Sequence, residues 1–103
     1  MKILICSVPD GPIANNTKRY YEDGLFLQPG GIFRLIDWIE SKGYRSKIYD
    51  INNLRPDDEE VTETFKNIKP TIVGLSAPLS HCYPNVKRLS KILRKLFPDI
   101  WIV

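Results

Sequence analysis

Residues 2–7, Lys-Ile-Leu-Ile-Cys-Ser, make an almost unbroken apolar run of strand length. Runs of this kind suit strands buried on both faces, as in parallel sheets. Pro9, Gly11 and Pro12 break the run. The period then changes. Ile32, Leu35, Ile36 and Ile39 recur at helical spacing, which predicts a helix over 32–42 that Gly43 stops. Residues 46–51, Ser-Lys-Ile-Tyr-Asp-Ile, alternate in part and read as a second strand. Asp57 followed by Glu60 resembles a capping box, with acids in the first turn of a second helix whose thin apolar stripe is Val61, Phe65 and Ile68. Residues 71–76, Thr-Ile-Val-Gly-Leu-Ser, predict a third strand. Pro84 suits a helix first turn. Val86, Leu89, Ile92, Leu93 and Leu96 then form an apolar face, opposite a solvated face of Lys87, Arg88, Lys91, Arg94 and Lys95. Residues 100–103 begin a fourth strand.

Strict strand–helix alternation predicts a parallel sheet with right-handed crossovers. The expected architecture is α/β: a three-layer, flavodoxin-like (Rossmann-like) sheet of order 2-1-3-4, forming one domain over 1–103. The chain stops before a fifth strand, so the pattern predicts a domain incomplete at its C-terminus. The apolar side chains of Ile100, Trp101, Ile102 and Val103 are then expected to be partly bare, and the exposed edge to need a partner, a second copy or further chain. The connection from Val8 to Pro29 is long for a strand-to-helix loop.

Composition narrows the class. The chain has 103 residues, 43% hydrophobic and 26% charged, which is ordinary globular composition and not that of a disordered chain. Cys6 and Cys82 are the only cysteines, too few for a disulfide framework, a four-cysteine zinc site or a three-cysteine iron–sulfur site. No apolar run is long enough to span a membrane, and the first one is too short for a signal peptide. The expected setting is cytoplasmic and reducing, without membrane attachment. A net charge of +3 permits an anionic ligand and does not call for nucleic acid.

In open parallel sheets, ligands bind beyond the carboxyl ends of the strands, where strand order reverses. Two segments form that edge here. One begins Val8-Pro9-Asp10-Gly11-Pro12, and the other is Ser76-Ala77-Pro78-Leu79-Ser80-His81-Cys82-Tyr83. The glycine fingerprint of dinucleotide sites and the P-loop motif are both missing, and Ser76 stands where a phosphoacceptor receiver would carry an acid. His81 and Cys82 suggest a metal or nucleophile pair. However, adjacent residues rarely face one site and no third ligand is evident, so the pair reads as loop residues ahead of a helix. Tyr20, Tyr21 and Phe26 either pack the long loop down or line a planar ligand. Ser76 either lines the ligand edge or orders its loop. Cys6 lies in a buried strand pattern and reads as an inert core thiol.

Two stretches together resemble the N-terminal cobalamin-binding domain of cobalamin-dependent radical SAM enzymes. The first is Leu27-Gln28-Pro29-Gly30-Gly31-Ile32 and the helix after it, through Gly43-Tyr44 to Lys47-Ile48-Tyr49-Asp50. The second is Lys69-Pro70-Thr71-Ile72-Val73-Gly74-Leu75-Ser76, with Phe97-Pro98-Asp99-Ile100-Trp101-Ile102-Val103 following the next helix. Thr71 departs from the family's Asp and Gly30-Gly31 from its Leu-Gly. The loop that supplies a lower axial histidine in other cobalamin domains has no counterpart, and the radical SAM cysteine motif is absent. The resemblance implies a cobalamin-binding module that holds the corrin, and with it cobalt, at the carboxyl ends of the strands. The implied cofactor-binding residues are Pro9, Asp10, Gly11, Ser76, Ala77, Pro78, Leu79, His81 and Tyr83, with no catalytic residue and no metal ligand. Methyltransferase chemistry, S-adenosylmethionine and an iron–sulfur cluster would belong to a radical SAM catalytic domain in cis or trans. Two alternatives stay open: a vestigial docking domain of this fold that binds no cofactor, and a flavodoxin-like protein for a small ligand.

Overall fold

The computed structural model describes residues 1–9, 30–77 and 80–103, with Gly30 by its backbone alone. The elements are β1 (Ile3–Ser7), α1 (Gly30–Ser41), β2 (Ser46–Tyr49), α2 (Ile51–Leu54), α3 (Asp58–Ile68), β3 (Ile72–Ser76), a 3-10 turn (Ser80–Cys82), α4 (Tyr83–Leu96) and β4 (Trp101–Ile102). The sheet is parallel throughout, in the order β2-β1-β3-β4. It is the three-layer, flavodoxin-like α/β arrangement that the alternation predicts.

β1 is interior. Leu4 to Ser7 are buried and pair with Val73 to Ser76 on one side, while Leu4, Ile5 and Cys6 pair with Lys47, Ile48 and Tyr49 on the other. A strand covered on both faces gains by being apolar at every position, which is why its run does not alternate. α3 and α4 cover one face. Leu4, Cys6, Tyr49 and Val73 meet Val61, Phe65, Leu89 and Leu93 there, with the Tyr49 and Phe65 rings edge to face at 6.0 Å. Among the described residues, α1 serves the other face through Ile32, Ile36 and Ile39, packed on Ile3 and Ile5. That cluster includes no residue of β3 or β4.

The helix ends follow local chemistry. Asp57 caps α3, its carboxylate accepting the Glu60 N–H at 2.8 Å. Lys69 closes α3 in the left-handed region at φ 52°. Gly43 takes φ +87° where α1 turns into β2. Pro84 lies in the first turn of α4.

Four expectations need correction. The second strand stops at Tyr49 and Ile51 opens the single turn α2, because Arg55 N–H bonds back to Ile51 O at 2.8 Å. Leu35 is 42% exposed, off the stripe of Ile32, Ile36 and Ile39 by which α1 packs on the sheet. Arg88 is not part of a solvated face: its guanidinium pairs with Asp58 at 2.7 Å and ties α4 to the first turn of α3. In the last segment Trp101 and Val103 are exposed as expected, but Ile100 is buried in the core shared with α3 and α4.

Candidate functional site

The carboxyl edge is assembled around the exit of β1. The Val8 N–H donates to Ser76 O at 2.9 Å, carrying the β1–β3 ladder past the last paired residues. α4 is anchored to the same exit. The Cys82 thiol faces Val8 O at 3.5 Å and the Asn85 amide donates to Pro9 O at 2.9 Å. Strand order reverses between β1 and β3, the place where this fold class keeps its ligand crevice.

The expected residues fall into distinct positions. Pro9 is fully buried, and its carbonyl is engaged by Asn85. Ser76 is half-buried at the end of β3, and its hydroxyl bonds to no described residue. Ala77, His81 and Tyr83 are exposed. Asp10, Gly11, Pro78 and Leu79 lie outside the described residues, as do Tyr20, Tyr21 and Phe26. His81 and Cys82 point different ways: His81 is exposed while Cys82 is 1% exposed. Among the described residues, no three His, Cys, Asp or Glu side chains gather as a metal site.

Strand alternation places Ile72, Gly74 and Ser76 on the α1 side of β3. Gly74 keeps that side flat. A Cβ there would stand 3.0 Å from Ile5 Cδ1, so any side chain would crowd β1.

A polar cluster beside this crevice escapes a reading by motifs. The Ser7 hydroxyl donates to Asp50 Oδ1 at 2.5 Å and accepts the Asn52 N–H at 3.1 Å. Asn53 donates to Asp50 Oδ2 at 2.6 Å. Arg55, 6% exposed and at φ 46°, donates through Nε to Asn52 O at 3.0 Å and through Nη2 to Asn52 Oδ1 at 3.3 Å. The sequence signal was Asp50 at the end of the second strand, followed closely by Asn52, Asn53 and Arg55-Pro56. What was illegible is its partner Ser7, 43 positions away.

Beneath the edge, Cys6 faces the core shared with α3 and α4. Burial pushes its thiol up to about 12. It is therefore protonated at neutral pH and no nucleophile. Burial also raises the Tyr49 hydroxyl above its ordinary range.

Among the described residues, no helix is long and apolar enough to cross a membrane. Compared with known protein families, curated proteins and solved structures, the chain matches none.

Proposed function

We propose that the chain is a cobalamin-binding module whose carboxyl edge holds the corrin between the exits of β1 and β3. The observation that carries the reading is Ser76, half-buried at the end of β3 beside the point where strand order reverses. The Ser76 hydroxyl bonds to no described residue and is available to bond one of the corrin's amide arms. The family resemblance supplies the choice of ligand. His81 and Tyr83 are exposed in the segment that follows β3, and in this proposal they pack against the corrin's rim. When bound in an enzyme of the resembled kind, the cobalt supplies methyl transfer. The chain's own residues bind and orient the corrin and keep water from one face of it. S-adenosylmethionine and its iron–sulfur cluster belong, in this proposal, to a radical SAM domain in cis or trans.

Hydroxocobalamin titration tests the proposal. After excess is removed by gel filtration, the protein fraction is expected to keep one equivalent of corrin absorbance, and Ser76→Leu to lose most of it. Passage of all the corrin through the column, or equal retention by Ser76→Leu, overturns this site.

One observation favours a second reading, a docking domain without cofactor. α1 presents Leu35 and Trp38, neighbours one turn apart, outward at 42% and 61% exposure, an apolar pair suited to a protein partner. Absence of corrin retention together with capture of a radical SAM catalytic domain supports that reading.

A further inference from the structure

At the opposite, amino-terminal end of the sheet, a recess of about 240 Å³ opens between the starts of β1 and β2 and the end of α3. Its apolar wall is Met1, Ile3 and Ile68. Its polar lining residues are Lys2, Arg45, Ser46 and Lys47, and no acid is among them. Strand parity places the three cations on one side. Leu4 pairs with Lys47 and Cys6 with Tyr49, all on the α3 side. Two residues earlier on the same side stand Lys2 and Arg45. Lys2 Nζ donates to Ile68 O at 3.3 Å, which fixes it at the rim with two donors to spare. Arg45 and Lys47 are exposed, and their side chains make no ion pair or hydrogen bond with any described residue. Like charges held as cross-strand and diagonal neighbours repel one another. An anion seated among them removes that repulsion.

We infer that this recess is a binding site for a small organic anion, with the charged group between Lys2, Arg45 and Lys47 and a short apolar body against Met1, Ile3 and Ile68. The volume is below that of pockets for drug-sized ligands, which confines the occupant to a single ring or a short chain. Three cationic residues on one recess favour a doubly charged head such as a phosphate monoester. The site lies at the far end of the strands from the proposed corrin edge, so the two inferences stand or fall separately.

Phenyl phosphate is the probe, followed by amide chemical shifts of the full chain. Inorganic phosphate serves as the comparator for charge alone and benzyl alcohol for the apolar body alone. Shifts are expected at Lys2, Ile3, Arg45, Ser46 and Lys47 and not at Ser7 or Ser76. Phenyl phosphate should bind at least tenfold more tightly than phosphate, and benzyl alcohol should give no saturable shift. Lys47→Gln and Arg45→Gln each remove one exposed charge and should weaken binding about fivefold. Lys91→Gln on α4 should leave it unchanged, and the amide spectrum itself shows whether each variant folds. Equal affinity for phosphate and phenyl phosphate would mean an adventitious ion only and overturns the inference. So do shifts scattered over every lysine, or none at millimolar probe.

Discussion

The Ser7 hydroxyl and the Asp50 carboxylate meet at 2.5 Å and lock the exit of β1 to the residue that follows β2. Ser7 also accepts the Asn52 N–H, so a single hydroxyl orders the start of α2. Ser7 is 6% exposed, and water cannot readily replace it. Ser7→Ala should therefore cost about 1–3 kcal/mol, the range for stranding partly buried polar partners. Urea unfolding should show a lower midpoint with an unchanged slope. A loss below about 0.5 kcal/mol would mean that Asp50 and Asn52 find other partners.

Gly74 and Ile5 are coupled across the β1–β3 ladder. The Cβ of an alanine at 74 would press on Ile5 Cδ1 at 3.0 Å, the far end of a flexible side chain. Gly74→Ala should cost about 1 kcal/mol. Ile5→Val removes the crowding methyl, so the double variant should be more stable than the sum of the single costs predicts. Strict additivity in thermal melts would show that the ladder, and not Ile5, resists the extra carbon.

The two ends of α3 should respond with opposite signs. Asp57→Ala removes the acceptor of the Glu60 N–H and should destabilise by about 1 kcal/mol. Lys69 is exposed and held at φ 52°. Lys69→Gly relieves that backbone cost and should stabilise by up to about 1 kcal/mol, less what glycine adds to unfolded-chain entropy. Melting temperatures that move the same way for both variants would refute this account of the helix.

Cys6 makes the fold sensitive to alkali. Its thiol ionises near the ordinary 9.0 when unfolded and is pushed up to about 12 by burial in the fold. Between those values the unfolded chain has released a proton that the folded chain still holds. The stabilisation is complete below pH 9 and is lost as pH rises towards 12, by up to about 1.4 kcal/mol per pH unit. Tyr49, also raised by burial, adds a loss of the same sign at higher pH. Unfolding titrations at pH 8, 9.5 and 10.5 should show the decline, and Cys6→Ala should flatten its first part. At pH 8, a thiol reagent should label Cys6 only as fast as the chain opens.

Periodicity carried the architecture. The apolar run over 2–7, the 3.6-residue spacing of Val86, Leu89 and Leu93, and the Asp57-to-Glu60 spacing each predict the element that forms. Each reflects a force acting within one turn or one strand. Ile51 misled because α2 is one turn long, too short to display a period, and its apolar residue continues the strand's pattern. Leu35 misled because its spacing reports a capacity for burial, whereas its exposure depends on which stripe of α1 packs on the sheet. Of the expected edge residues, Pro9 turned out to be enclosed by Asn85, a contact across 76 positions that no local pattern encodes.

By itself, then, the sequence determined a parallel α/β sheet of order 2-1-3-4, since alternating elements and right-handed crossovers leave few ways to bury continuous apolar strands. It also marked Ser76 as an edge residue, because the end of a strand is legible wherever its apolar run stops. Only the tertiary structure decided which polar groups meet: Ser7 with Asp50, Asn85 with Pro9, Arg88 with Asp58, and Lys2 beside Arg45 and Lys47. Those meetings depend on register and on which helix lies over which face. Both are settled by packing the whole core at once, and a window of a few residues contains neither.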